Sequence, residues 1–158
     1  MVIHLDVNPD DMVVEIGPGT GVFTEALLNA GVRPENLILL EREAAFAQHL
    51  RKQFSKVKII EGDACQLMSV IGQETERAVT RVISGLPLRS MPREVRRIIS
   101  SQIAELLPPG GILVQFSYFE GSPIDPDLAA EAGLMGRRVD HVLRNLPPAY
   151  VWKYVKVK

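Results

Sequence analysis

The chain has 158 residues, 46% hydrophobic and 23% charged, with a formal net charge of −1. That length fits one domain with a sizeable core. No apolar run is long enough for a membrane span, no signal peptide is visible, and the near-neutral charge gives no global pull toward nucleic acid. Cys65 is the one cysteine, which excludes an internal disulfide, and His4, His49 and His141 share no metal-ligand spacing with it.

The first predicted strand covers 12–16 and runs into Gly17-Pro18-Gly19-Thr20-Gly21, after which the pattern predicts a helix over 20–30. Glycines at such a turn let the backbone bend sharply and let a ligand lie against it, facing the unpaired N–H groups of the helix. The dinucleotide fingerprint spaces its glycines G-x-G-x-x-G, whereas here the spacing is G-x-G-x-G, with Glu15 two residues ahead. A carboxylate there repels a pyrophosphate and suits a ligand bearing an amino or sulfonium cation. The competing reading of this segment alone is a glycine-rich turn with no ligand.

A strand over 36–41 ends in Glu41, about twenty residues after the turn, where a carboxylate can accept both ribose hydroxyls, as in NAD enzymes. Glu41 equally suits the start of the next helix, 43–53. The strand over 57–61 leads into Glu61-Gly62-Asp63-Ala64 and also ends in an acid. Cys65 follows and reads as a buried thiol, with a pocket wall as the alternative. Residues 67–71 can form a short helix. A strand over 80–84 precedes a helix over 92–107 that takes Pro92 as its first residue. Its apolar stripe, Val95, Ile98, Ile99, Ile103, Leu106 and Leu107, is read as core. Pro108-Pro109-Gly110-Gly111 ends it, and a buried strand covers 111–118. Then come a short helix, 128–133, and strands over Arg137–Arg144 and Tyr150–Val157, whose short connection makes them antiparallel. The alternation predicts a parallel sheet covered on both faces. The half up to Thr80 is acidic. The half from Arg81 is basic, with Arg89, Arg93, Arg96 and Arg97 close together, then Arg137, Arg138, Arg144, Lys153, Lys156 and Lys158, and is expected to carry the substrate side of a cleft.

Taken together, Glu15-x-Gly17-x-Gly19-x-Gly21, the strand-end Glu41 and the pair Asp63-Ala64 resemble the motifs of the class I S-adenosylmethionine (SAM) methyltransferases. The resemblance implies one α/β, Rossmann-like domain with a mostly parallel seven-stranded sheet, a C-terminal antiparallel hairpin and helices on both faces. It implies SAM as cofactor and S-adenosylhomocysteine as product. Asp63 would hold the adenine amino group and the Ala64 N–H would meet a ring nitrogen. Glu15, Gly17, Gly19, Thr20, Gly21, Glu41, Arg42, Ser84 and Gly85 would complete the cofactor site.

Methyltransferases acting on adenine amines carry N-P-P-Y or N-L-P-Y after the fourth strand. Here Gly85 stands for the Asn and Leu88 for the Tyr, so the side-chain acceptor and the stacking face are missing. Flipped bases are gripped by stacking, which counts against a planar base. Asn145-Leu146-Pro147-Pro148 imitates the motif on the wrong connection and reads as a turn. The run Ser84-Gly85-Leu86-Pro87-Leu88-Arg89-Ser90-Met91-Pro92 closely resembles the soluble bacterial phosphatidylethanolamine (phospholipid) N-methyltransferases. The likeness continues through Leu107–Gly111, Gln115–Tyr118 and Arg144–Ala149. It implies N-methylation of a phosphatidylethanolamine head group toward phosphatidylcholine. Backbone carbonyls around Ser84 to Leu86 would orient the amine, and Leu86, Pro87, Arg89 and Tyr118 would contact the substrate. Arg89, Arg93, Arg96 or Arg97 would pair with phosphate, or else form the solvated face of a helix. Tyr118 would border the amine or its cationic product, or else be a core tyrosine. Tyr118, Glu120, Tyr150 and water are the candidate bases, so no catalytic residue is named. The family likeness places the protein in the cytoplasm, peripheral at the inner face of an anionic membrane, without metal or nucleic acid. Met1–Asn8 cannot build the family's N-terminal membrane-binding helix, so that segment is expected to be absent. The alternatives are an RNA adenine dimethylase and a non-catalytic SAM-binding module.

Overall fold

A computed structural model describes residues 1–142 and 148–157. A seven-stranded sheet is built from β1 (Val13–Ile16), β2 (Leu37–Glu41), β3 (Lys58–Glu61), β4 (Arg81–Ser84), β5 (Ile112–Ser117), β6 (Leu134–Val142) and β7 (Ala149–Lys156), in the order β3-β2-β1-β4-β5-β7-β6. The first five strands are mutually parallel, and β7 runs antiparallel to both β5 and β6. The helices are α1 (Val22–Asn29), α2 (Ala44–Gln53), α3 (Leu67–Gly72), α4 (Arg93–Leu106) and α5 (Pro126–Glu131).

Alternation along the strands sends successive side chains to opposite faces. Val13, Leu37, Leu39, Ile83 and Val114 pack with Leu27 of α1 and Leu50 of α2. Val14, Ile16, Ile38, Leu40, Val82 and Leu113 pack with Leu67 of α3 and with Ile99 and Ile103 of α4. Strands covered on both faces need mostly apolar residues, and every residue of β1 and β2 is buried.

Several sequence expectations shift. Pro92 caps α4 from outside with extended backbone, and Arg93 is the first helical residue. The stripe on α4 is narrower than expected: Ile99, Ile103 and Leu107 are buried, whereas Ile98 is exposed on the outer face, because one residue rotates a helix by about 100°. The short helix expected at 128–133 is α5, Pro126–Glu131, where Pro126 supplies a preset first turn. Strand β6 begins at Leu134, three residues before the expected Arg137. The expected end at Arg144 and the Asn145–Pro147 turn lie outside the described residues. Near the start, Val2–Leu5 forms one 3-10 turn whose Leu5 is fully buried. Arg81 Nε donates to Leu5 O at 2.9 Å and its guanidinium lies 3.6 Å from Asp11, tying this turn to β4.

The arginines after β4 have protein partners. Arg96 reaches Asp125 at 2.8 Å and Met91 O at 3.0 Å, Arg89 reaches Asp125 at 3.6 Å, and Arg93 pairs with both Asp125 and Asp127. Arg97 pairs one turn back with Glu94. Three of these four arginines, Arg89, Arg93 and Arg96, thus converge on Asp125, which fastens the start of α4 to α5. Both Arg96 and Asp125 are largely buried, with side chains 13% and 18% exposed. Removing one member of such a pair strands the other. Asp125→Ala should therefore lower unfolding free energy by about 2 kcal/mol. Arg93→Ala, at an exposed position, should change it by less than about 1 kcal/mol, both read by denaturant unfolding.

Candidate cofactor and acceptor site

Strands β1, β2 and β4 end side by side, at the point where chain order reverses between β1 and β4. Open α/β sheets bind ligands outside the carboxyl ends of their strands at such a point. The two loops leaving β1 and β4 touch. Gly85 N donates to Ile16 O at 2.8 Å, and a Cβ on Gly85 would lie 2.5 Å from Gly17 O. Gly17 has φ +67°, and a Cβ there would meet Leu86 at 2.8 Å. Gly85 admits no side chain, and the left-handed φ at Gly17 disfavours one. Gly19 differs: with φ +56°, nothing stands within 4 Å of where its Cβ would be. Its open side faces a cavity. Gly21 closes the loop as the left-handed cap of α1.

Two cavities flank this contact. One, of about 200 Å³, is lined by Ile16, Gly17, Leu40, Glu41, Arg42, Gly62, Asp63, Ala64, Cys65, Leu86, Met91, Val95 and Ile99. The other, of about 480 Å³, is lined by Met1, Gly17, Pro18, Gly19, Thr20, Val22, Phe23, Gly85, Phe116, Tyr118, Val142, Ala149 and Val151. They share Gly17, with Gly85 and Leu86 between them. The first gathers Glu41, Arg42, Asp63 and Ala64, as expected from sequence. Cys65, read as a buried thiol, is half-buried on its wall, and burial raises its pKa, with Asp63 adding to the rise. The hydrophobic wall made by Met91 in the loop before α4 and by Val95 and Ile99 of α4 was not foreseen. Its α4 part comes from a helix read only as core.

Three acids that looked alike in sequence differ in place. Glu41 accepts from Gly19 N at 3.1 Å and Glu43 N at 2.9 Å, so each oxygen keeps a lone pair for a diol. Asp63 accepts from Cys65 N at 2.8 Å through one oxygen and leaves the other to the cavity. These donor sets, with the open face of Gly19, fit an adenosine-bearing cofactor. Glu15 is not on either cavity wall. It is fully buried beneath the glycine loop, accepting from Thr24 Oγ1 at 2.7 Å, while its other oxygen has no partner among the described residues. Burial pushes its pKa from 4.5 up to about 7, the Thr24 bond opposes this, and the Glu41 charge adds to it.

On the acceptor side Ser84 is fully buried behind its loop, its Oγ accepting from Leu86 N at 3.3 Å. Leu88, in the place of the stacking aromatic, is 1% exposed and turned into the core. Tyr118 stands half-exposed on the rim of the larger cavity, edge-to-face with Phe116 at 5.0 Å. Pro87 and Arg89 instead line a small cleft with Phe119 beside it. The half from Arg81 onward supplies Gly85, Phe116, Tyr118, Val142, Ala149 and Val151 to the larger cavity, and no Lys or Arg lines it among the described residues. The sequence reading also missed Gln115, a fully buried amide whose Nε2 donates to Leu86 O at 2.7 Å and Phe116 O at 2.9 Å. Its signal was a polar residue inside the apolar run Ile112–Phe116.

The Glu15 environment fixes a pH dependence. Below about pH 4.5 the carboxyl is protonated folded and unfolded, with no effect on stability. Between pH 4.5 and 7 only the unfolded chain releases the proton, so stability falls as pH rises. The loss levels off above pH 7 at up to about 3 kcal/mol. Glu15→Gln should remove this slope in urea unfolding at pH 5 and pH 8; an equal slope in both proteins would show Glu15 ionising freely.

The ribosomal RNA adenine dimethylase family matches residues 1–87. The ornithine lipid N-methyltransferase of Singulisphaera acidiphila is 34% identical over 110 residues, 67% of this chain and 57% of that protein. The probable ribosomal RNA small subunit methyltransferase A of Haloquadratum walsbyi is 35% identical over 159 residues, 91% of this chain and 47% of that protein. The chain thus spans about half the length of the curated relatives it matches. The fold is shared with the N-methyltransferase NodS from Bradyrhizobium japonicum, solved in complex with S-adenosyl-L-homocysteine. The TM-score is 0.71 at 16% identity, covering 94% of this chain and 79% of that one. The chain belongs to the ribosomal RNA adenine dimethylase family of SAM-dependent class I methyltransferases.

Proposed function

We propose that this chain N-methylates the amine of a lipid head group, phosphatidylethanolamine in the first instance, using SAM bound across Gly17. The observation that carries the reading is the larger cavity beside Gly85. It lacks a stacking aromatic at position 88, and no Asp, Glu, Lys or Arg lines it among the described residues. Such a wall suits a small uncharged amine on an apolar carrier. The relative named as an ornithine lipid N-methyltransferase supports an amine-bearing lipid as the class of acceptor.

Glu41 would hold the ribose, Asp63 and the Ala64 N–H the adenine, and the open face of Gly19 the amino-acid portion. When bound, the cofactor supplies an electrophilic methyl group. The chain's own residues contribute proximity and alignment at Gly85. They exclude water with Phe116 and Val151, and Tyr118 offers a ring to the developing ammonium. With no carboxylate or imidazole on the cavity wall among the described residues, the amine must arrive neutral. The rate should rise about tenfold per pH unit below the pKa of the amine.

A second reading, methylation of adenine in RNA, is favoured by the family match and by the Haloquadratum walsbyi relative. Gly85 and the buried Leu88 speak against it, because they remove the side-chain acceptor and the stacking face that the adenine-methylating motif places at those two positions. Labelled methyl from SAM offered to phosphatidylethanolamine in mixed micelles, and in parallel to RNA, distinguishes the two. Mono-, di- or trimethylated lipid by mass supports the first. Methyladenine, with binding that weakens steeply with salt, overturns it. For the cofactor, Asp63→Ala should weaken S-adenosylhomocysteine binding about tenfold by calorimetry, with about 1 kcal/mol of stability lost through its cap on Cys65. Unchanged affinity would remove Asp63 from the adenine site.

A further inference from the structure

The loop after β4 has three carbonyls that could meet an acceptor amine, and they are not equivalent. Leu86 O already receives Gln115 Nε2 at 2.7 Å and Leu88 N at 2.9 Å, which fills both lone pairs. Pro87 O receives Ser90 N at 2.9 Å. Gly85 O receives no donor among the described residues, and Gly85 lines the larger cavity. The neighbouring Ser84 Oγ accepts from Leu86 N, so side chains from β4 and β5 clamp the two peptide groups that flank the Leu86 Cα. Gln115 is the register partner of Ser84 across the two strands, and its burial excludes water from competing for these bonds.

We infer that Gln115 is the positioning residue of the acceptor loop, closing the Leu86 carbonyl to substrate and leaving the Gly85 carbonyl as the hydrogen-bond partner of the acceptor amine. This rests on the methyl-transfer reading for its meaning, while the clamp itself can be tested without any acceptor.

Gln115→Leu keeps the volume and removes both donated bonds. Hydrogen exchange on the full chain should show protection of the Leu86 and Leu88 amides falling about tenfold. The amides of β1 and β2 and the affinity for S-adenosylhomocysteine should stay within about threefold. Gln115→Glu separates positioning from packing. A buried carboxyl among carbonyl oxygens donates only while protonated, so protection at Leu86 and Leu88 should persist at pH 5 and vanish at pH 8. Undiminished protection in Gln115→Leu, or equal loss across the whole sheet, overturns the positioning role.

The amine partner is read by carbonyl ¹³C labelling at Gly85 and Leu86, with phosphoethanolamine as the probe and S-adenosylhomocysteine present. A shift at Gly85 alone is expected, and a shift at Leu86, or at neither, overturns that assignment. On phosphatidylethanolamine, Gln115→Leu should lose at least about tenfold in kcat with KM for SAM unchanged. An active parent whose rate ignores Gln115 overturns the positioning role. A parent inactive on this lipid, with the clamp intact, overturns the lipid reading and leaves the clamp standing.

Discussion

The carboxyl edge of the sheet depends on how closely two loops approach. Gly85 sits so near Gly17 O that it tolerates no Cβ, Gly17 is held at φ +67° against the Leu86 side chain, and the Gly85 amide is bonded to the end of β1. This contact divides the space above β1 and β4 into a smaller, carboxylate-bearing cavity and a larger one with no Asp, Glu, Lys or Arg side chain among the described residues, the two sharing Gly17 as their common wall. A group bound in one is thereby brought against a group bound in the other. That geometry is what a transfer between two bound molecules requires, since fixing the reactants in line removes a large part of the entropic barrier.

The acids around the loop show how environment assigns chemistry to one residue type. Glu41 is held by two backbone N–H groups and presents its remaining lone pairs outward. Asp63 spends one oxygen on its own turn and keeps one for the cavity. Glu15, fully buried with a single hydroxyl partner among the described residues, resists ionisation. Its contribution lies under the loop, through Thr24 of α1, and carries a stability cost at high pH because desolvation disfavours the charged form.

Charge is distributed against the simplest functional picture. The cluster Arg89, Arg93 and Arg96 converges on Asp125 and serves to lock α4 to α5. Among the described residues the larger cavity is lined by Gly, Val, Phe, Tyr, Met, Pro, Thr and Ala, with no Asp, Glu, Lys or Arg. On the proposed reading, recognition there would rest on exclusion of water, aromatic faces and a carbonyl. Those features would discriminate by size and by protonation state of an amine more than by net charge.

Strand periodicity, the glycine spacing and strand-ending acids made the parallel sheet, its antiparallel end and the cofactor-side cavity legible in the chain itself. These signals are local: a strand buried on both faces is mostly apolar, with Glu15 and Glu41 the exceptions in β1 and β2, and a loop pressed against another backbone must lack a Cβ. What the sequence did not reveal was decided by contacts between residues distant along the chain. Asp125 claims arginines about thirty positions earlier, Gln115 fills the Leu86 carbonyl, Ile98 turns outward while Ile99 turns inward, and Glu15 retreats beneath the loop it introduces. The same side chain can be ligand, clamp or ballast according to which neighbours satisfy its hydrogen-bonding atoms. Only packing in three dimensions, by setting which atoms lose water and which find a partner, chooses among them.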